Sequence, residues 1–162
     1  MSSGAPLRAG IGWDSHRLEA GRRLILGGVE IEASDAGLAG HSDADVLTHA
    51  VIDALLGAAG LSDIGEHFPD TDERWRDADS IELLRAVRDK LGDAGYVAAN
   101  IDATVACETP KLSPFRAEMR TRLAEAAGLP ADAVNVKFTT GEGMGFVGRA
   151  EGIAAMAIAT LG

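Results

Sequence analysis

The chain has 162 residues, 46% of them apolar, with a net charge of −10 and a single cysteine. That length suits one domain with its own core, and the acidic balance argues against nucleic acid or acidic membrane as partners, since both need a basic field. Cys107 alone forms no intramolecular disulfide or cysteine-based zinc finger, and no run reaches the ~18 apolar residues of a membrane span. Met1 to Ala9 has no hydrophobic signal segment, so a reducing cytoplasm is the expected location.

Met1 to Pro6 reads as a flexible N-terminal lead, and residues 7–162 as one domain. Leu7 to Trp13 predicts a buried strand running into Asp14-Ser-His16-Arg17. Asp14 and His16 are two apart, so on extended backbone they point to one side. Arg23 to Ile31 predicts two strands turning at Gly27-Gly28, followed by a loop from Ala33 to Gly40.

A helix is expected from about Ser42 to Ala59, with Ser42 as N-cap, Asp45 completing an acidic capping box and Gly60 as the stop. Asp45, His49 and Asp53 fall at i, i+4 and i+8, on one helical face. Leu61 to Asp77 is a long loop, a length typical of lids and binding loops. A second helix starts at Asp79 or Ser80 and ends near Gly95, with Ile81, Leu84, Val87, Arg88 and Leu91 on one side. Tyr96 to Cys107 alternates as a strand; Ser113 caps a third helix with Pro114 at N1, closed by Gly128. Val134 to Thr140 is a further strand, Gly141 to Gly148 a glycine loop, and Arg149 to Leu161 is compatible with strand or helix. The element order predicts an α+β two-layer sandwich, a mixed four- to five-stranded sheet with three helices on one face.

Asp14, His16 and His49 form a donor set that suits zinc with an open fourth position. The bland alternative is a pair of surface histidines and a helix-capping aspartate. Gly143-Met-Gly-Phe-Val-Gly148 matches G-x-G-x-x-G, but only fourteen residues follow it, too few for a second strand after a helix. A phosphate- or backbone-approach loop fits better, with Thr139, Thr140 and Glu142 beside it. Lys111 in a proline-flanked loop is a candidate contact, whereas His67 reads as a surface histidine, Cys107 as a buried strand residue, and Phe68-Pro-Asp-Thr-Asp72 as a turn unless it binds something.

Taken together, Gly-Trp-Asp-Ser-His-Arg (12–17), Leu-Gly-Gly-Val (26–29), His-Ser-Asp-Ala-Asp-Val-Leu-Thr-His (41–49), Asp-Ile-Gly (63–65), Phe-Pro-Asp-Thr-Asp (68–72), Pro-Lys (110–111) and Thr-Thr-x-Glu…Gly-Phe-x-Gly-Arg (139–149) resemble the 2-C-methyl-D-erythritol 2,4-cyclodiphosphate synthases. The resemblance covers nearly the whole chain in one order. It implies an enzyme of non-mevalonate isoprenoid biosynthesis that turns 4-diphosphocytidyl-2-C-methyl-D-erythritol 2-phosphate into the cyclic diphosphate and CMP. It also implies a homotrimer with active sites between subunits, and it admits an isoprenoid diphosphate on the trimer axis.

By the same resemblance, Asp14, His16 and His49 hold one Zn2+ per subunit, and Asp14 and His16 also border the substrate. His41 and Thr140 stabilise the transition state, and His41 with Ser42 contacts phosphate. Asp63, Ile64, Gly65, Phe68, Pro69, Asp70, Thr71 and Asp72 line the erythritol and ribose side. Cys107, Glu108, Thr109, Pro110, Lys111, Leu112 and Ser113 form the cytidine pocket. Thr139, Thr140, Gly141 and Glu142 meet the diphosphate, Glu142 helping to hold a second ion, Mg2+ or Mn2+. Phe146 belongs to the same glycine segment, and Arg149 touches nucleotide or an isoprenoid diphosphate. Trp13 stands where Phe or Tyr is usual, and Cys107-Glu108 and Gly141 also depart from the pattern, which affects pocket shape more than chemistry. Asp45 and Asp53 are left as support, a cap and an acceptor that orients an imidazole. The readings of other classes are a zinc-dependent phosphoesterase and a non-catalytic module binding phosphorylated metabolites.

Overall fold

The computed structural model describes residues 6–162, so the expected N-terminal lead lies, apart from Pro6, outside the described residues. The first strand, β1 (Arg8–Ala20), is longer than expected and carries Asp14 and His16 within it. A tight hairpin follows, β2 (Ile25–Leu26) and β3 (Val29–Glu30), turning at Gly27 and Gly28, both with positive φ. That is the two-residue turn such a glycine pair favours. The expected loop after it contains a short strand, β4 (Ala36–Leu38), which pairs with the end of β1.

Helix α1 spans Val46–Ala59 and ends, as expected, at left-handed Gly60. Its start corrects the sequence reading: the N-cap is Asp45, and Ser42 lies before the helix. Asp45 wins because its carboxylate is wholly buried and serves two elements at once. One oxygen accepts from the N–H groups of Thr48 and Gly27, the other from the Thr48 hydroxyl and the Gly28 N–H, at 2.7 to 3.0 Å. The cap therefore also clips the β2–β3 turn to the helix.

The long loop is broken by the short helix α2 (Ile64–His67) and a 3-10 turn at Glu73–Trp75. Helix α3 (Ser80–Asp93) is capped by Asp79, and its buried side includes Leu83 while Arg88 is exposed. Strand β5 (Ala98–Ala106) buries Ile101, Ala103 and Val105 in alternation. Ser113 does not cap the third helix: it opens a 3-10 turn with Pro114, and α4 (Arg116–Ala127) continues from it to Gly128. Then come β6 (Val134–Thr139), the short helix α5 (Gly145–Gly148) and β7 (Gly152–Leu161), which settles the ambiguous C-terminal segment as strand.

The result is α+β. Five strands form a mixed sheet in the order β4-β1-β7-β5-β6, antiparallel except for the β5–β6 pair. Helix α1 packs on β1 and β7, α4 packs on β6, and α3 packs chiefly against the two helices.

Small residues set how closely α1 approaches the sheet. Gly10 and Gly12 face the helix, and a Cβ there would fall 2.1 Å from the Ala54 carbonyl oxygen and 1.9 Å from that of Ala50. Ala50, Ala54 and Ala58, spaced by four, give the helix a matching smooth side, and all are buried. Continuing by twos along β1 from Gly10 and Gly12 brings Asp14 and His16 to the same face, opposite His49 on α1. The other sheet face carries an uncovered apolar patch: Ile11 pairs with Ile158 and Trp13 with Met156, all four exposed.

Candidate active site

The strand pair and the helix residue meet. Asp14 Oδ2 lies 2.9 Å from His16 Nε2 and 3.1 Å from His49 Nδ1, and the two nitrogens are 3.3 Å apart. A tetrahedral ion with bonds of about 2.0–2.1 Å has ligand atoms roughly 3.3 Å apart, so these three donors fit one divalent metal. The donor chemistry agrees. His16 Nδ1 is 2.7 Å from the Ala39 carbonyl oxygen, which only accepts, so Nδ1 carries hydrogen and a neutral ring turns the Nε2 lone pair inward. Among the described residues, no other group of three His, Cys, Asp or Glu side chains converges in this way.

Without a metal, a proton supplies the positive charge. Burial alone would raise the Asp14 carboxyl, but hydrogen bonds from His16 and His49 overcome it and bring it down to about 2. Burial likewise disfavours the His16 imidazolium, and the Asp14 carboxylate, helped by the Ala39 carbonyl, outweighs that and raises its pKa. The site is built to hold a cation.

It opens on a cavity of about 500 Å³ lined by Asp14, His16, His41, Ser42, His49, Ile64, Gly65, Phe68, Pro69, Asp70 and Thr71. Gly40, Trp75 and Leu83 complete the wall and were not anticipated. Phe68 and Trp75 meet edge to face at 5.0 Å, a contact across the loop that no periodicity signals. Asp63 caps α2 through the Glu66 N–H, beside the wall. Asp72 contributes its backbone: His41 Nε2 donates to the Asp72 carbonyl oxygen at 3.1 Å. Neutral His41 held this way presents Nδ1 as an acceptor, and it donates to a phosphate only with a second proton.

Asp45 is a cap, as expected, whereas Asp53 does not orient an imidazole. Asp45 serves the hairpin and cap, and Asp53 accepts the Ile64 N–H at 2.8 Å, tying α1 to the cavity loop. Burial raises the pKa of both carboxyls. His49 Nε2 instead meets Ser80 Oγ at 2.8 Å and Ser42 Oγ at 3.2 Å, partners 31 and 7 residues away.

The remaining predicted residues gather elsewhere, on the loops leaving the parallel ends of β5 and β6. None of Cys107 to Ser113, Thr139 to Glu142, Phe146 or Arg149 lines the metal-side cavity. Glu108 clips the two loops together, accepting the N–H groups of Gly141 at 2.7 Å and Gly143 at 3.2 Å. The amides of Gly141 and Gly143 are thus taken by a carboxylate of the same chain. Thr140, Glu142, Phe146, Arg149, Lys111 and Thr109 are exposed, while Leu112 is buried. Cys107 is a buried thiol, pushed up to about 11 by burial and hydrogen-bonded to the Thr109 carbonyl, so it is no nucleophile. His67 bonds the Leu61 carbonyl oxygen at 2.7 Å, apart from the metal triad.

The YgbB family matches residues 7–162. The chain belongs to that family. Among its relatives, the 2-C-methyl-D-erythritol 2,4-cyclodiphosphate synthase of Salinibacter ruber is 61% identical over 155 residues, covering 96% of this chain and 98% of the relative. A bifunctional enzyme IspD/IspF of an Anaeromyxobacter species is 58% identical; the match takes in 97% of this chain but 40% of that larger protein. Among solved structures, a 2C-methyl-D-erythritol-2,4-cyclodiphosphate synthase in a form bound to CDP superposes with a TM-score of 0.87 at 39% identity, covering 96% of this chain and 100% of the other. The bifunctional IspDF of Campylobacter jejuni superposes with a TM-score of 0.92 at 44% identity, over 96% of this chain and 42% of that one.

Proposed function

We propose that residues 7–162 act as one catalytic domain that converts 4-diphosphocytidyl-2-C-methyl-D-erythritol 2-phosphate to 2-C-methyl-D-erythritol 2,4-cyclodiphosphate and CMP, in the cytoplasm, as part of non-mevalonate isoprenoid synthesis. The observation that carries this reading is the convergence of Asp14, His16 and His49 at the edge of a cavity lined by the very loop residues that resemble the synthase motifs. The full-length relatives bearing the synthase name supply the substrate.

In this reaction an oxygen of the 2-phosphate attacks the β-phosphorus of the same molecule. The bond from that phosphorus to the oxygen bridging the α-phosphate breaks, and CMP leaves with the bridging oxygen. No side-chain nucleophile is required, which suits a site without an activated serine or cysteine. The chain's work is to fold the substrate, an alignment worth roughly 7–11 kcal/mol. Ile64, Phe68, Trp75 and Leu83 offer an apolar wall to the methylerythritol carbon skeleton, while His41 and Ser42 face the phosphates. Asp14, His16 and His49 would hold zinc, which when bound polarises phosphoryl oxygens as a Lewis acid. Thr140 and Glu142 belong to the diphosphate side, with Glu142 toward Mg2+ or Mn2+, and Cys107 to Ser113 to the cytidine side.

Those two groups complete one site in a homotrimer with active sites between subunits. Two features support the assembly: the nucleotide-side residues lie outside the metal-side cavity of their own chain, and the uncovered face bearing Ile11, Trp13, Met156 and Ile158 needs a partner. An isoprenoid diphosphate near Phe146 and Arg149, on the trimer axis, is compatible with this arrangement. The test incubates zinc-loaded protein with the cytidyl substrate and Mg2+ and follows products by phosphorus NMR. CMP and the cyclic diphosphate are expected. Release of inorganic phosphate without CMP would instead identify a phosphoesterase, and no turnover a binding module.

A further inference from the structure

We propose that Ser80, held by Asp43, sets which nitrogen of His49 faces the metal. The proposal rests on the metal reading above and extends it to two residues outside the cavity lining.

Ser80 opens α3 and is fully buried. Asp43 grips it twice: one carboxylate oxygen takes the Ser80 hydroxyl at 2.5 Å and the other takes the Ser80 N–H at 2.9 Å. A carboxylate only accepts, so the single hydroxyl proton of Ser80 is committed to Asp43. What Ser80 Oγ offers His49 Nε2, 2.8 Å away, is therefore a lone pair, and Nε2 carries hydrogen. In the neutral ring that binds a metal, Nδ1 is then bare, and it is Nδ1 that lies 3.1 Å from Asp14 Oδ2 and gives up its hydrogen when the ion enters. The opposite tautomer would set lone pair against lone pair at Ser80 and aim an N–H at the ion.

Ser42 also touches Nε2, but at 3.2 Å, and its oxygen already accepts the Ala44 N–H. Asp43 is itself anchored, donating its N–H to the Ala78 carbonyl oxygen and accepting that of Asp45. The carboxylate, hydroxyl and imidazole thus form one chain from the loop before α1, through the first residue of α3, to the metal ligand. Such outer partners are worth about 10- to 100-fold in metal affinity.

The experiment measures zinc affinity of the full chain by competition with a chromogenic chelator, and records imidazole nitrogen-15 NMR of the zinc-loaded protein. The parent should show His49 protonated at Nε2. Ser80→Ala should lower zinc affinity about 10- to 100-fold, and Asp43→Ala should lower it although Asp43 touches no ligand. The double variant should lose no more than Ser80→Ala, because the residues act in series. Circular dichroism in chelator checks that each variant folds. Zinc binding by Ser80→Ala within about twofold of the parent, or fully additive losses, overturns the proposal. If Ser80→Ala fails to fold, Asp43→Ala decides, since zinc binding within about twofold of the parent overturns the proposal equally. A parent chain that takes up no zinc defeats the metal reading itself, a different result from an indifferent Ser80.

Discussion

The Asp53 carboxylate accepts the backbone N–H of Ile64 at 2.8 Å, one helical turn beyond His49. A single helix thus carries the metal ligand and, four residues on, the anchor of the loop that walls the cavity. Asp53→Ala should release Ile64 and Gly65 without touching the metal donors. We expect KM for the cytidyl substrate to rise about tenfold, the cost of one hydrogen bond to a charged group, with zinc affinity unchanged. Steady-state kinetics beside a zinc titration separates the two effects.

Gly12→Ala tests the seam between α1 and β1. A methyl group 1.9 Å from the Ala50 carbonyl oxygen has nowhere to go, because the obstacle is backbone. The helix must lift, at a cost of about 1–3 kcal/mol or more. Because Asp14 and His49 sit on the two sides of that seam, zinc affinity should fall with the urea midpoint.

Asp45→Asn replaces a carboxylate that accepts four donors with an amide that presents its own N–H groups to two of them. Destabilisation on the order of 2–4 kcal/mol is expected from the lost cap and charged hydrogen bonds. It should be visible in chemical denaturation of the metal-free protein, where zinc cannot mask it.

The pH dependence follows from His16 and Asp14. The pKa of His16 is raised above its ordinary 6.5, so its contribution to the metal-free fold is full below 6.5 and is lost as pH rises through the higher folded value. Asp14, lowered from 3.8 to about 2, contributes above 3.8 and loses that contribution as pH falls toward 2. Of these two groups, only His16 changes between pH 6 and 8. Zinc must displace its proton, so apparent affinity should fall about tenfold per pH unit below the folded His16 pKa. The zinc-induced rise in Tm should accordingly be larger at pH 8 than at pH 6. His16→Ala should abolish zinc uptake with the fold retained.

The metal donors were legible because a period of two on a strand and a histidine on a helix are local facts, and the motif resemblance united them. Ser42 and Asp45 both suit an N-cap by residue type, so sequence alone does not separate them. Only the hairpin amides of Gly27 and Gly28, supplied from 18 and 17 residues upstream, decide for Asp45. Ser80 on His49 and Trp75 on Phe68 were illegible for the same reason: each contact is made across a loop, with no periodic signal. The strand at Ala36–Leu38 went unseen because three small or apolar residues carry no pattern without the β1 edge they pair with.

The uncovered sheet face has a consequence for handling the protein. Ile11, Trp13, Met156 and Ile158 lie side by side on adjacent strands, so a solitary chain exposes a sticky panel and only half of the proposed site. Turnover per chain should therefore drop on dilution, and recover on concentrating, in assays that leave each chain folded.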